Sequence, residues 1–436
     1  MSSRKAGLSF IVVTLFLDIL GLGLVIPILP RLVESFVGND ASRGAFYVGT
    51  LASAYAAMQF VFSPIMGSLS DRYGRRPVLL ISLFGSGFDY VLLAFAPSLA
   101  WFFVGRVVAG LCGASIGTAA AYIADVSPPE KRAQNFGLIG MAFGLGFIAG
   151  PLMSAVLGGV ALPLPHFLSQ LTGYDSLPGI RFPFVVAACL AFANAMYGLF
   201  VLPESLAPEH RREFSWGRAN PIGTLRALTK YPVVLGLALT LFLMGVAQRS
   251  LESTWVLFTE HRFHWDIKDT GISLAVVGLA AAIVQGGLVR RIIPKLGERR
   301  ALTTGIVVSM LAFVLYGLAP AGWTLYVFLV FGSLGGIAGP AAQGLMSKAV
   351  PPNEQGMLQG GLSSVTSITN VLGPLLATNL FGYFISDAAP VKVPGAAFFA
   401  GSALLFLALI QARRTFRRVP ATLPSATVAA SPPVSP

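Results

Sequence analysis

The chain has 436 residues, 55% of them apolar and only 11% charged, with a mean hydropathy of +0.75. Soluble domains are about 45–50% apolar and about 25% charged, so a single water-facing globule is excluded. The net charge of +12 would suggest nucleic acid in a soluble protein, but the basic residues here sit in short loops suited to anionic headgroups, and no nucleic-acid partner is expected.

The apolar residues are packaged in runs of about 20, the helix length that crosses roughly 30 Å of hydrocarbon at 1.5 Å per residue. Open sheet edges cannot be satisfied in lipid, so the fold class is all-α. Spans are expected near 7–29, 46–68, 77–96, 99–123, 134–160, 182–203, 233–259, 269–293, 301–320, 323–349, 356–386 and 394–412. The first is too long for a cleaved signal peptide, contains Asp18 and lacks a small-residue cleavage site. Residues 204–232 form a charged linker between a six-helix bundle at 1–203 and a second at 233–412. The tail, 413–436, reads as disordered and cytoplasmic, its last part rich in Pro, Ser and Ala. Cys112 and Cys189 fall inside spans four and six, where inert packing is expected rather than a disulfide framework.

Twelve spans put both termini on one side. Loops and ends on that side carry 22 lysines and arginines, and the opposite loops carry 6: Arg31, Arg43, Arg181, Arg262, Lys268 and Lys392. The basic side is the cytoplasmic one in an inner membrane.

Shifting the chain by 223 positions superimposes its halves without a gap. Gly74 falls on Gly297, Pro97 on Pro320, Pro128-Pro129 on Pro351-Pro352, and Gly150-Pro151 on Gly373-Pro374. Turn and break residues repeating in register imply a duplicated six-span unit, pseudo-symmetric about an axis along the membrane normal. A solute pathway between the halves is the resulting expectation.

Two groups of residues carry chemistry. At the cytoplasmic junction of spans two and three, Gly67–Val78 reads GSLSDRYGRRPV. Asp71 can sit at the N-terminus of a facing helix, and Arg72, Arg75 and Arg76 can pair with Asp125, contacts that form when this face closes. The alternative is that these arginines only enforce topology. Inside the spans lie Asp18, Asp89, Arg106, Arg249 and Glu252, each costly there and a functional candidate. Asp89 lies seven residues before Ala96, and Arg106 seven after Leu99. Both therefore sit ~10 Å below the outer surface on neighbouring helices. Asp18 lies ~16 Å into span one.

A carboxylate there is pulled toward its proton by desolvation and away from it by a guanidinium. Such a balance suits a proton carrier, Asp18 or Asp89, with Arg106 as counter-charge; a fixed structural ion pair is the alternative. Arg249 and Glu252 share a face of span seven, to neutralise each other or to line a cavity. Tyr55, Gln59, Gln343 and Asn370 supply uncharged hydrogen-bonding groups for an amphipathic ligand, or else glue between helices.

The loop at Gly67–Val78 resembles the signature of the major facilitator superfamily. Val104–Ala114 (VGRVVAGLCGA) resembles its span-four signature, and Gly140–Pro151 (GMAFGLGFIAGP) its antiporter motif, which here includes Gly146, Gly150 and Pro151. Leu17–Pro30, Ala54–Gly67, Ser253–Trp265 and Leu358–Leu376 are similar to the tetracycline/proton antiporter branch. The resemblance implies drug efflux in exchange for protons. It also implies functional roles for Asp18, Asp89 and Arg106, and for Gln59 in recognising the drug. That branch typically carries a histidine in span eight and an aspartate in span nine. The matching positions hold Ala281 and Ser309, and His166, His210, His261 and His264 all fall in loops. Two groups tied to metal–tetracycline recognition and proton relay are therefore missing, and tetracycline as the substrate does not follow.

No GxxxxGK[ST] motif is present for an ATP-driven pump. Gly113–Gly117 (GASIG) matches a serine-hydrolase elbow, yet no span supplies a histidine to activate Ser115. The expected protein is a monomeric exporter of a small amphipathic drug, driven by protons, with no cofactor or metal and no catalytic residues. Import of a metabolite or sugar is the alternative.

Overall fold

The structure, a computed structural model, describes residues 2–113, 115–163, 169, 176, 177, 179–211, 223, 225, 226, 228–351 and 354–417. The disordered tail expected from the sequence lies mostly outside them. Twelve helices among the described residues are long and apolar enough to cross a membrane. Spans one to six are Leu8–Val25, Ala41–Tyr73, Arg75–Phe95, Leu99–Val126, Leu138–Leu157 and Phe182–Val201. Spans seven to twelve are Pro232–Phe263, Ile267–Leu296, Glu298–Leu318, Gly322–Lys348, Met357–Ile385 and Ala396–Arg417.

Local chemistry explains where these bounds depart from the hydropathy pattern. Span one stops at Val25, ahead of Pro27 and Pro30, and a separate short helix follows at Leu29–Phe36. Span two starts early because Asp40 caps it, accepting hydrogen bonds from the amides of Ser42 (2.9 Å) and Arg43 (3.1 Å). Span twelve runs on to Arg417, with Arg414 and Arg417 in its last turn, where the helix dipole favours cations. Outside the helices, Leu162-Pro163 pairs antiparallel with Ser176-Leu177 between spans five and six.

The 223-residue repeat is written into the backbone. Gly74 and Gly297 each end one helix and begin the next with positive φ, +108° and +75°, a conformation that disfavours any side chain. Ala96 and Ala319, each preceding a proline, adopt φ/ψ of −55°/121° and −50°/121°. Gly150 of span five lies against Gly23 of span one, where an added methyl would fall 2.6 Å from the Gly23 Cα. Gly373 of span eleven likewise packs on Val246 and Arg249 of span seven. Positions 23 and 246 are again 223 apart. Even the helix irregularities repeat. Span four loses its helical pattern at Gly113, and span ten tightens to a 3₁₀ turn at Leu334–Ile337, which contains the equivalent Gly336.

Among the described residues the two halves are joined on the side away from the termini. Ser42 Oγ donates to the Gly382 carbonyl (2.8 Å) and Ser53 Oγ to that of Val371 (2.7 Å), linking spans two and eleven. Gly271 of span eight meets the Pro151 carbonyl of span five so closely that a methyl there would sit 2.5 Å from it. Arg31 Nε reaches Glu260 at 3.0 Å, an ion pair between the halves.

Candidate functional site

Span three is buried on the face carrying Ser82, Gly85, Asp89 and Leu93, a helical spacing that aims Asp89 at span four. Span four answers with Gly105-Arg106. A methyl at Gly105 would lie 2.7 Å from Asp89 Oδ1, so the glycine makes room for the carboxylate and Arg106 covers it. The Arg106 Nη2 group donates directly to Asp89 Oδ2, and both residues are buried, at 8% and 2% exposure. The pairing is one-armed. Among the described residues, Asp89 Oδ1 and Arg106 Nε are buried without hydrogen-bond partners.

The pair continues into span two. The Arg106 guanidinium stands over the Tyr55 ring, 5.6 Å from its centroid. Gln59 Nε2 donates to the Tyr55 hydroxyl (3.2 Å) and to the Gly113 carbonyl (3.0 Å). That carbonyl sits where span four loses its helical pattern, so the Gln59 amide supplies a partner to a peptide group in apolar surroundings. Asp18 is in electrostatic reach of Tyr55 and Tyr90. Proton-coupling and ligand-binding candidates that were separate in the sequence thus meet: Asp89, Arg106, Tyr55 and Gln59 form one connected group, with Asp18 in electrostatic reach of it.

The second half contributes less to this cluster. Arg249 Nη1 donates to Glu252 Oε2 one turn away, and Gln248 Nε2 donates to the other oxygen at 3.2 Å. The two charges thus neutralise each other, yet at 39% and 43% exposure in the middle of span seven they stay accessible. Gln343 is exposed on span ten, and the buried amide oxygen of Asn370 has no hydrogen-bond partner among the described residues. No hydrogen bond found among the described residues brings those two side chains to the Asp89 cluster. Ala281 lies half-buried on span eight, and Ser309 faces Gly335 of span ten. Residue 114 and the Ser115 side chain, part of the elbow-like motif, lie outside the described residues.

The loop between spans two and three keeps the expected Arg75–Asp125 pair and otherwise differs from the expected arrangement. Arg75 alone takes the central place, pairing with Asp71 (2.6 Å) and Asp125 (3.1 Å) and donating to Ser70 Oγ (2.6 Å). Arg72 stacks on Tyr73 at 5.2 Å, and Arg76 donates to the Leu199 carbonyl at 2.5 Å, so neither pairs with Asp125. Asp71 is held by Arg75 rather than capping a facing helix. The carboxylate at a helix N-terminus is Glu204, just after span six, which accepts the amides of Arg75 (2.8 Å) and Arg76 (3.2 Å). The turn at Gly74 points these unpaired first-turn amides toward Glu204, and a side chain at Gly74 would collide with it. All these groups belong to the first half or its linker, so they can move as a unit. In span five, Gly146 packs on Ile19 as Gly150 packs on Gly23, with Pro151 inside the helix.

A duplicated six-span helical unit, its halves joined on one side of the membrane, with an acid–base pair buried between spans three and four, defines a multi-pass membrane transporter rather than an enzyme. The chain belongs to the Major Facilitator Superfamily, whose profile matches residues 11–374 and again 291–435. It is 36% identical to tetracycline resistance protein, class C, of Escherichia coli, across 95% of this chain and 98% of that one. It is 38% identical to the class E protein of Escherichia coli, across 85% and 86% respectively. In fold it is similar to a bacterial homolog of the human lysosomal transporter Spinster, solved inward-facing and occupied. The TM-score there is 0.75 at 17% identity, covering 96% of this chain and 98% of that one.

Proposed function

We propose that this protein exports an amphipathic drug in exchange for protons, alternating the access of a site between its halves, residues 1–203 and 233–412. The observation that supports this most is the one-armed Asp89–Arg106 pair, buried yet continuous with Tyr55 and Gln59. A carboxylate bonded through one oxygen keeps a site for a proton on the other, and taking it up weakens the hold of Arg106. Arg106 can then shift against Tyr55, which links protonation to the packing of spans two and four.

A proton crossing 100 mV supplies about 2.3 kcal/mol, so no bound cofactor is needed. The excess of basic residues on the terminal side, 22 against 6, supports an orientation with both termini in the cytoplasm. The structure then corresponds to a state closed toward the outside. We further propose a monomer, since each chain carries both halves of the pathway.

The relatives are tetracycline resistance proteins, which makes tetracyclines the first substrates to test, bound here without a histidine at position 281. Expressing the protein in an efflux-deficient host and measuring susceptibility to tetracyclines and unrelated amphipathic drugs tests this. Raised resistance to at least one such drug, lost when the proton gradient is collapsed, is the expected outcome. Unchanged susceptibility throughout the panel would contradict export.

A further inference from the structure

Arg31 and Glu34 lie one turn apart on the short helix Leu29–Phe36, outside the membrane spans and on the face where the halves meet. Arg31 is the cation of the ion pair between the halves. Its Nε holds Glu260 at the far end of span seven (3.0 Å), and its Nη2 donates to the Trp265 carbonyl. At 15% and 31% side-chain exposure, this pair is substantially withdrawn from water. Glu34 is half-buried beside it, folded over Gly44 at the head of span two. One guanidinium therefore pairs with Glu260 of the second half while standing one turn from Glu34 of the first, within reach of its charge.

We propose that Arg31–Glu260 is an external latch and that Glu34 is its proton-operated release, a pH-sensing residue of the outer face separate from the coupling candidates Asp18, Asp89 and Arg106. With Glu34 ionised, its charge opposes Glu260 across the seam and loosens closure. With Glu34 protonated, Arg31 serves Glu260 alone and the outer face stays shut. The proposal rests on the alternating-access reading but not on the identity of any drug.

The electrostatics of the closed state agree with this geometry. Burial, then the charge of Glu260, push the Glu34 carboxyl up to about 7; Arg31 opposes this, and Asp40 adds a smaller upward push. Of the other charges nearby, Arg43 is paired with Asp40 at 3.6 Å, and Arg181 stacks over Phe36 at 5.4 Å. When the latch opens, Glu34 becomes hydrated and returns toward the ordinary value of about 4.3. The closed state thus binds this proton more tightly than the open one. Closure is favoured as external pH falls from about 7 toward about 4.5, and the gain is absent above that window. An outward-open transporter meeting an acidic exterior is driven to close and return, the stroke a proton-driven exporter needs.

The test places spin labels at Ser98 and Val391, exposed loop positions on the outer face of opposite halves, in a Cys112→Ser/Cys189→Ser background. Inter-label distances are measured at pH 8 and pH 6, without drug or gradient. The wild type should raise its closed-to-open ratio at the lower pH, about tenfold of which comes from Glu34. Glu34→Gln should lack that component and stay closed at both pH values, Glu34→Asp should keep the response, and Arg31→Gln should favour the open state throughout. Asp18 and Asp89 are the coupling candidates of the proposed function, so the decisive quantity is the difference between wild type and Glu34→Gln. The same pH response in both proteins overturns the role of Glu34. An unchanged ratio in Arg31→Gln overturns the latch. Neither result depends on whether a drug is exported, so failure of the export reading is told apart by the susceptibility panel.

Discussion

Asp89 accepts its hydrogen bond from Arg106 through Oδ2 alone, and its Oδ1, buried beside Gly105, has no hydrogen-bond partner among the described residues. A pair held by one arm can be opened by one proton. It is also a liability, because either group alone is an uncompensated charge in a span. Arg106→Met should destabilise the protein by about 3–5 kcal/mol. Adding Asp89→Asn should restore most of that loss. Thermal unfolding of the two single variants and the double variant checks this, and additive losses would mean that the two residues do not act as a pair.

Gln59 touches Tyr55 and the Gly113 carbonyl at the irregularity of span four. Its side chain is committed to holding two helices, so Gln59→Ala should slow transport of chemically different drugs alike, about tenfold. Efflux rates for a panel of three unlike drugs measure it. A loss confined to one drug would make Gln59 a ligand contact instead.

Glu204 accepts the first amides of span three, Arg75 and Arg76, as well as those of Ser205 (2.9 Å) and Leu206 (3.1 Å). Glu204→Ala should cost about 1–2 kcal/mol, as loss of a helix cap does. Hydrogen exchange at the Arg75 and Arg76 amides should quicken, while the Arg75–Asp125 pair keeps the loop near its place. Unaltered exchange would show that another group caps span three.

Much of this was legible in the sequence because bilayer thickness and the repeat leave few choices. Runs near 20 residues set the spans, and the 223-residue offset located Gly74 and Gly297, two of the three positive-φ glycines among the described residues. Asp89 and Arg106 could be matched in depth because the turn at Pro97 lies midway between them. The contacts that were missed are those that no periodicity encodes. Glu204 reads as one more solvated charge in a linker until Gly74 turns the chain and exposes the amides it caps. Arg31 and Glu260 are 229 residues apart at span ends, where single charges are unremarkable. The arginines of the loop were interchangeable in sequence. In space, Arg75 alone reaches both Asp71 and Asp125, because it follows Gly74 and points back along span two.

The central claim is that export is exchanged for protons at Asp89. Everted membrane vesicles with an acidified interior measure it directly, by following drug-dependent loss of the pH gradient. The wild type should release protons when a transported drug is added, and Asp89→Asn, present in equal amount, should release none. Full drug-dependent release by Asp89→Asn would contradict the claim.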